Sequence, residues 1–294
     1  MLSKKRFLPL AILLIFILSI VGCAQQQPQQ QAPPAAEQTK DVILATTTST
    51  QDSGLLDVLV PEFEKKTGYV VKTVAVGTGA AITMGQKGEA DVLLTHAPSQ
   101  EKPIVDNGEA INYQLVMHND FIIVGPESDP AQIKGTATAA EAFKKINEKG
   151  ALFISRGDNS GTHTMEKNLW KAAGITPTVS DKYQETGQGM GQTLTVAQQK
   201  EGYTLTDRAT YLAQKKNLSL AILVEGEKAL LNIYHVMQVN PEKFPKVNAA
   251  GAKAFVEFMI APDTQKIISE FKVAEYGQPL FYADAGKNEA DLGK

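Results

Sequence analysis

The sequence has little cysteine and little histidine, and each shortage narrows what the protein can be. Cys23 is the only cysteine, so no disulfide bond can form within the chain. The histidines show no zinc-motif spacing and no neighbouring carboxylate cluster; they are His96, His118, His163 and His235. We therefore expect neither a disulfide scaffold nor a metal site, and nothing in the sequence calls for a cofactor.

Positive charge is also scarce. The chain has 29 Lys and Arg against 32 Asp and Glu, and loss of Lys4, Lys5 and Arg6 with a leader would take the formal net charge from −3 to −6. There is no basic stripe and no RNA-binding aromatic motif, so nucleic acid is not an expected partner. A negative chain that binds an anion must do so through a local site rather than its overall field.

A catalytic serine is not favoured either. The stretch SRGDNSGTH at residues 155–163 contains Ser160 and His163, but it misses the G-x-S-x-G spacing of a nucleophile elbow. If both residues begin a helix, the His163 ring points away from Ser160. The RGD triplet within this stretch does not indicate an adhesion protein, because any three residues recur often by chance. We therefore expect no enzyme and keep a secreted serine hydrolase only as a remote alternative.

The N-terminal residues predict export. Residues 1–22 place basic residues before a short apolar run and read as a signal peptide. The run is shorter than the roughly 20 apolar residues that a membrane span needs. IVGC at residues 20–23 resembles a bacterial lipobox, so we expect a lipid anchor on Cys23 and an extracytoplasmic location. Residues 23–40 are then a lipidated cysteine and a Gln- and Pro-rich disordered tether.

The rest of the chain alternates strand patterns with helix patterns. Strands are predicted at residues 42–44, 69–76, 91–95, 152–155, 203–206 and 220–224. Helices are predicted at residues 53–66, 80–87, 139–149, 160–173, 207–216, 248–260 and 263–271, and another includes residues 196–200. This order predicts an α/β fold with mainly parallel sheets flanked by helices.

Two long extended segments interrupt this alternation. Residues 112–126 and residues 232–241 both contain a tyrosine, a Val-Met pair and an asparagine. Their matched positions before and after the middle of the chain suggest two strands that cross between lobes. We predict lobe 1 at 41–118 plus 236–294 and lobe 2 at 119–235, with the crossing strands as the hinge.

Three turns from a strand into a helix share one chemistry. They are rich in hydroxyl groups and glycine, and they cover residues 46–50, 77–79 and 156–162. Free N–H groups at a helix start favour an anion, and open α/β sheets bind ligands beyond the carboxyl ends of their strands. Each turn could instead be an ordinary helix cap. The Gly-rich residues 187–191 are either a turn before a helix or a wall of the cleft.

Arg156 is the only cation among these turns. Its planar guanidinium can bind two oxygens of a tetrahedral oxyanion at once, through charge-assisted hydrogen bonds. The three turns and Arg156 together predict an oxyanion site.

These same stretches resemble a known family. They include ATTTSTQDSGLLDVLVPEFEKKTGY, AVGTGAA, ADVLLTHAP, SRGDNSGTH, ETGQGMGQTL and YTLTDRATY. They are similar to the tungstate-binding proteins of bacterial ABC transporters, over roughly residues 41–284. The resemblance implies a type II periplasmic-binding-protein-like fold with two α/β lobes and one anion in the cleft between them. It also implies a membrane permease as partner, and we expect a monomer.

The resemblance also implies which residues bind the anion. Carried across position by position, the ligands are Thr47, Thr48, Ser49, Thr78, Gly79, Arg156, Ser160, Gly161 and Thr162. Ser155 and Asp158 are expected to contact these ligand-binding residues and hold them in place, without contacting the anion.

The ligand itself is predicted to be tungstate, with molybdate and phosphate as alternatives. Tungstate and molybdate carry no proton near neutral pH, so their site needs only hydrogen-bond donors. Phosphate keeps a proton, so its site gains from a hydrogen-bond acceptor. Asp158 could orient Arg156, cap the next helix or accept a phosphate proton, and the sequence leaves these roles open. The resemblance over the whole chain favours tungstate, with high-affinity capture and delivery to the permease.

Overall fold

A computed structural model describes residues 40–292, which form a mixed α/β structure. Its strands are β1 (Asp41–Thr47), β2 (Val70–Val76), β3 (Val92–Thr95), β4 (Ala110–Gly125), β5 (Phe153–Ser155), β6 (Tyr183–Glu185), β7 (Thr204–Asp207), β8 (Ala221–Val224), β9 (Leu231–Val239) and β10 (Tyr282–Ala283). Its helices are α1 (Thr48–Asp52), α2 (Leu56–Thr67), α3 (Thr78–Lys87), α4 (Pro98–Asp106), α5 (Ala139–Glu148), α6 (Gly161–Ala172), α7 (Met190–Gln199), α8 (Arg208–Gln214), α9 (Ala249–Ile260), α10 (Pro262–Glu270) and α11 (Val273–Tyr276).

The α/β class predicted from the sequence is confirmed, and the main sheet is mixed. Its strand order is β10-β4-β9-β3-β1-β2, and β7 and β8 also pair with β4. Strands β1, β2 and β3 are parallel, whereas β9 joins β3 and β4 antiparallel. Strands β5 and β6 form a separate parallel pair. Among the strands described, parallel pairing is thus limited to β1 with β2, β1 with β3 and β5 with β6, and every pairing of β4 and β9 is antiparallel. The sheet is therefore less parallel than the sequence predicted, because β4 and β9 pair with each other and with β3, β7, β8 and β10.

The two long extended segments are strands, β4 and β9, and they pair with each other. The first part of β4 runs along β9 and β10, and its last residues pair with β7 and β8. One strand thus belongs to both groups of strands. The use of β4 and β9 as a hinge, and the lobe boundaries at 41–118 plus 236–294 and 119–235, stay predictions.

Side chains that alternate along the strands build a core on both faces of the sheet. In β1, Leu44 faces a cluster that includes Phe63 and Phe255, while Ala45 faces a second cluster with Leu93. In β4, Phe121 and Ile123 face one cluster and Ile122 and Val124 face another. Helices cover both faces of each strand group, as a strand buried on both sides requires. The strand ends are thereby held in fixed positions.

Some elements were missed or displaced in the sequence prediction. The predicted helix 53–66 is preceded by the short helix α1, which begins at Thr48 directly after β1. Helix α4 was missed; it contains Pro103 and begins at Pro98, where a missing N–H costs nothing. Strand β6 has only three residues and no periodicity to detect.

Several predictions concern residues outside the described range. The signal peptide at 1–22, Cys23 and the tether up to residue 39 lie there, and they stay predictions. Between residues 40 and 292 the structure has no helix of the length and apolarity that a membrane crossing demands.

Candidate oxyanion site

Parallel pairing of β1 and β3 brings two loops together at one edge of the sheet. The register pairs Thr46 with Leu94, and the Thr46 hydroxyl donates to the Leu94 carbonyl oxygen at 2.8 Å. Because parallel strands end at the same edge, the next residues of both strands become neighbours. His96 Nε2 accordingly lies 3.1 Å from Thr47 Oγ1.

The hydroxyl groups after β1 form a buried cluster. Thr47 Oγ1 lies 2.7 Å from Thr50 Oγ1 and 3.2 Å from Ser49 Oγ. It also accepts the Thr50 backbone N–H at 3.3 Å, as the N-cap of α1. Each hydroxyl can rotate and donate its single hydrogen either to a neighbour or to a ligand. Of the predicted site residues, Thr47, Thr48 and Ser49 therefore lie together here.

The start of α3 packs directly on the start of α6. The Gly161 N–H donates to Thr78 Oγ1 at 3.1 Å, and the Gly79 N–H donates to the Asn159 carbonyl oxygen at 3.3 Å. A Cβ added to Gly79 would lie 2.4 Å from Asn159 Nδ2. The backbones approach so closely only because these positions are glycine. The second and third predicted turns are therefore in contact.

Arg156 follows β5 and is almost fully buried, with 1% of its surface exposed. Its Nη2 donates to Thr48 Oγ1 at 3.0 Å and pairs with Asp158, and its Nε donates to the Gln188 carbonyl oxygen at 3.3 Å. Among the residues that the structure describes, none bonds to its Nη1. The guanidinium thus joins the first turn to the third and keeps the two N–H donors of its buried Nη1 unused.

Both carboxylate oxygens of Asp158 are engaged within the protein. Asp158 Oδ2 pairs with Arg156 Nη2, and Oδ1 accepts the Ser160 N–H at 3.1 Å. The side chain therefore orients the arginine and holds the turn before α6. Of the roles that the sequence left open, the observed contacts match orientation of Arg156 and support of the helix start.

The remaining predicted residues surround the start of α6. Ser160 is the N-cap, and its Oγ accepts the His163 N–H at 3.2 Å. The His163 ring accepts the Asn159 N–H at 3.0 Å, and no hydrogen bond within residues 40–292 joins Ser160 Oγ to an imidazole. Thr162 Oγ1 is buried and lacks a partner in the same range. The Ser155 hydroxyl accepts the Gly157 N–H at 3.2 Å, below the turn.

The Gly-rich residues 187–191 lie against the first turn. Gly189 packs closely on Thr48, since a Cβ added there would lie 3.3 Å from Thr48 Cβ. The Gly191 N–H donates to Asp52 Oδ2 at 3.2 Å, across to the other strand group. Gly189 is the N-cap of α7, so the loop is a turn before a helix, as one of the two interpretations held. Its role as a wall of the site stays a prediction.

His96 and Asn232 were missed by sequence reasoning. His96 Nδ1 lies 2.7 Å from Asn232 Oδ1, and both side chains are buried. Burial lowers the pKa of His96 to about 4, so the imidazole is neutral near pH 7. The sequence carried one signal: His96 directly follows a predicted strand, where a parallel sheet gathers its functional residues.

Two carboxyl groups near Arg156 have raised pKa values, the buried Asp207 and the more exposed Asp52. Burial raises the pKa of Asp207 to about 6, although its bond to Thr210 and the charge of Arg156 oppose the shift. Burial also raises the pKa of Asp52, opposed by its bond to Gly191 and again by Arg156. Since Asp158 already pairs with Arg156, side-chain charge alone does not favour an anion. The N–H groups and dipoles at the starts of α3 and α6 must contribute much of the attraction.

The arrangement can therefore offer hydrogen-bond donors to a compact ligand. Hydroxyl groups, an arginine and two helix starts meet at one place. Within residues 40–292, no group of three or more His, Cys, Asp or Glu side chains could hold a metal ion.

Comparison with known proteins gives consistent matches. Residues 30–263 match the family described as PBP superfamily domain. The chain is 46% identical over 286 residues to the tungstate-binding protein TupA of Peptoclostridium acidaminophilum, which covers 96% of this chain and 100% of that protein.

Solved structures agree with these matches. A tungstate ABC transporter structure from Geobacter sulfurreducens is 50% identical, covers 79% of this chain and 98% of its own, and has a TM-score of 0.72. The tungstate-binding protein TupA of Desulfovibrio alaskensis G20 is 47% identical, covers 83% and 99%, and has a TM-score of 0.69.

Proposed function

This chain belongs to the PBP superfamily and, within it, to the tungstate-binding proteins of ABC transporters, and we propose that it binds tungstate where its three turns meet. Such proteins bind and deliver a substrate and are not enzymes. The turns in question follow β1, β2 and β5.

Two unused buried donors carry this proposal. Arg156 Nη1 and Thr162 Oγ1 are buried and have no partner in the part of the chain that the structure describes. Leaving a buried polar group unpaired costs about 1–3 kcal/mol, more when it is charged. An oxyanion that accepts from both groups would remove this cost. These atoms therefore support an anion ligand more directly than the turn sequences alone.

The proposed ligand set uses the nearby hydroxyl groups and helix starts. In this conformation the Gly161 N–H donates to Thr78 Oγ1, which leaves the Thr78 hydroxyl hydrogen free to donate to an anion. The proposed ligands are Thr47, Thr48, Ser49, Thr78, Arg156, Ser160 and Thr162, together with Gly79 and Gly161. The two glycine N–H groups donate to Asn159 and Thr78 here, so they would reach the anion only by exchanging those bonds. No single hydrogen bond supplies the roughly −12 kcal/mol of nanomolar binding, so preorganised turns must share it.

The contacts of Asp158 favour tungstate over phosphate. A phosphate that keeps one proton needs an acceptor, and each oxygen of Asp158 already accepts one hydrogen bond, from Arg156 or from Ser160, so the carboxylate is directed at the protein rather than at a ligand. A fully deprotonated dianion makes no such demand. Molybdate has nearly the same charge and shape as tungstate, so we propose it as a second, competing ligand.

Capture would involve closure of two lobes around the anion. We propose lobe 1 as 41–118 plus 236–294 and lobe 2 as 119–235, hinged at the strands β4 and β9. Donors from both lobes then surround a buried anion, and the closed form docks on a membrane permease. We further propose that the protein works outside the cytoplasm as a monomer, held to the membrane by lipid on Cys23.

A thermal-shift panel on ligand-free residues 39–294 tests the function. Tungstate, molybdate, sulfate and phosphate are compared at one pH and salt concentration. A ligand at about 100 times its dissociation constant stabilises by roughly 2.7 kcal/mol, which gives a clear rise in Tm. We expect large shifts with micromolar tungstate and small ones with sulfate and phosphate. A shift with phosphate alone would overturn the tungstate assignment.

Substitutions at Arg156 test the site by calorimetry. Arg156→Ala should weaken tungstate binding at least about tenfold, and Arg156→Lys should also weaken it because an ammonium group lacks the planar fork. Arg208→Lys is the matched control, since Arg208 bonds Asp120 and Glu225 rather than the three turns. Unchanged binding in Arg156→Ala would show that this arginine is not a ligand.

A further inference from the structure

His96 occupies a buried position at the base of the proposed site. Only 4% of its surface is exposed, and its ring stacks on Tyr234 with centroids 4.7 Å apart. The start of α6 presses against it, since a Cβ added to Gly161 would lie 2.7 Å from His96 Cε1. The imidazole therefore cannot reorient without moving one of these neighbours.

The backbone that carries His96 is also held firmly. Glu101 Oε1 accepts the Ala97 N–H at 2.8 Å and the Thr95 hydroxyl at 2.7 Å, on either side of His96. The Glu101 side chain is itself fully buried. The turn after β3 thus holds the imidazole in a fixed position relative to the first turn.

The hydrogen bonds around the ring assign its tautomer. Asn232 Nδ2 donates to Asn119 Oδ1 at 2.8 Å and to the Tyr234 hydroxyl at 3.1 Å, so Asn232 Oδ1 is the acceptor that faces the ring. His96 Nδ1 lies 2.7 Å from that oxygen and must carry the hydrogen. In a neutral imidazole, Nε2 is then an acceptor.

The other side of the ring faces the first turn. His96 Nε2 lies 3.1 Å from Thr47 Oγ1 and 3.2 Å from Ser49 Oγ. The single lone pair on Nε2 can accept a hydrogen bond from only one of these two hydroxyl groups. The second hydroxyl remains available as a donor.

We propose that His96 is a positioning residue for the anion, which sets through Nε2 how the Thr47 and Ser49 hydroxyl groups point. This inference rests on the proposed function, because it requires these hydroxyl groups to donate to the bound oxyanion. His96 does not itself touch the ligand. A directed chain of hydrogen bonds runs from Asn119 on β4 through Asn232 on β9 and His96 to the first turn.

Two substitutions separate the two nitrogens of the ring. The amide of an asparagine lies close to the position of Nδ1, so His96→Asn keeps a donor for Asn232 and removes the group at Nε2. The longer His96→Gln places its amide near Nε2 and leaves the position of Nδ1 empty. Tungstate affinity is measured by calorimetry for the wild type and both variants, with His118→Gln as control because His118 contacts Asp284 instead.

The proposal predicts a definite order. We expect His96→Asn to lose about tenfold in tungstate affinity, the equivalent of one hydrogen bond to a charged ligand, and His96→Gln to stay within about threefold of the wild type. His118→Gln should stay within about twofold. The proposal fails if His96→Gln binds more weakly than His96→Asn, or if both bind as the wild type does. Absence of tungstate binding by the wild type would instead overturn the proposed function.

Nitrogen-15 NMR of the histidine rings adds a test that needs no variant to fold. In the wild-type protein at pH 7, we expect His96 to carry its hydrogen on Nδ1, with and without tungstate. The Nε2 resonance should show an accepted hydrogen bond in both states, because the hydroxyl that donates to it is already in place. A hydrogen found on Nε2 would overturn the positioning role.

Discussion

At the scale of single residues, the proposed site is an arrangement of hydrogen-bond donors in which most polar atoms already have a partner within the protein. Asp158 has both oxygens in use, and the Arg156 guanidinium bonds to Thr48 and Gln188 as well. The unused groups are therefore informative. Thr162 Oγ1 is one of them, and its hydroxyl can be removed without a change of shape.

Replacing Thr162 with valine should affect stability and binding in opposite directions. The buried hydroxyl has no partner in residues 40–292, so Thr162→Val should stabilise the ligand-free protein by about 1 kcal/mol. Tungstate binding should weaken about tenfold, because a donor to the anion is lost. Denaturant unfolding measures the first effect and calorimetry the second.

Thr264→Val is a matched control for this experiment. Thr264 is fully buried in α10, and within the described residues its Oγ1 also has no partner. Its replacement should likewise stabilise the protein and should leave tungstate binding unchanged. Equal binding by the Thr162 and Thr264 variants would remove Thr162 from the ligand set.

The sequence predicted the residues that can donate hydrogen bonds to an anion better than it predicted the residues that contact them. The turns that contain Thr47, Thr78 and Arg156 were visible because hydroxyl groups, glycines and a cation follow strands. The contact of His96 with Thr47 was not visible, since it depends on β3 lying beside β1. The pairing of Asp158 with Arg156 was one of several open roles, because side-chain direction within a turn depends on the neighbouring helices.

At the scale of elements, helix α6 connects the proposed site to the core beneath it. One turn and a half after its start, Glu166 accepts from the Tyr183 hydroxyl at 2.7 Å and from Trp170 Nε1 at 3.2 Å. The Tyr183 bond ties α6 to β6, which is the parallel partner of β5 before Arg156, and the Trp170 bond lies within α6. Glu166 is 2% exposed, and burial raises its pKa to about 7 despite its hydrogen bonds.

Replacing Glu166 with glutamine should therefore change the pH dependence of stability. Between pH 4.5, the unperturbed pKa, and about 7, the folded protein keeps a proton that the unfolded chain releases. The contribution of Glu166 to the free energy of unfolding therefore falls as pH rises through this window. Glu166→Gln has no such proton, yet its amide oxygen can still accept from Tyr183 and Trp170.

Urea unfolding at pH 5 and pH 8 measures this difference. Relative to the wild type, Glu166→Gln should gain on the order of 2–3 kcal/mol of stability between the two pH values. Contributions from Asp207 and His96 occur in both proteins and cancel in the comparison. Parallel pH profiles for the two proteins would show that Glu166 is ionised in the fold.

The order of elements was predictable where periodicity was strong, and their pairing was not. Helices α5, α6 and α9 lie within a residue or two of the predicted ranges, because apolar residues recur at helical spacing. The antiparallel pairing of β4 with β9 joins residues more than a hundred positions apart. No local pattern specifies such a pairing, although the matched composition of the two segments suggested a shared role.

At the scale of the whole molecule, hydrogen bonds connect the two proposed lobes on more than one side of the site. Asp52 Oδ2 accepts the Gly191 N–H at 3.2 Å, and Gln100 Nε2 donates to Thr164 Oγ1 at 2.6 Å. Arg156 Nη2 also donates to Thr48 Oγ1 at 3.0 Å, which adds a third bond between the proposed lobes. We infer that this conformation is the closed one, which the anion would stabilise.

Closure should be measurable as compaction. Small-angle X-ray scattering of ligand-free residues 39–294 should show a smaller radius of gyration after tungstate is added, because closure at the proposed hinge of β4 and β9 would bring the proposed lobes together. Arg156→Ala should stay expanded at a tungstate concentration that compacts the wild type. An unchanged radius in the wild type at saturation would contradict closure, although not binding.

The contact between Gln100 and Thr164 separates closure from direct binding. Gln100→Ala removes a bond between the proposed lobes, so if closure forms this bond, compaction should need about threefold more tungstate. Gln86→Ala is the matched control, since Gln86 bonds Glu109 within lobe 1. If Gln100→Ala and Gln86→Ala compact at the same tungstate concentration, the bond to Thr164 does not stabilise the closed form, and closure depends on contacts around the anion alone.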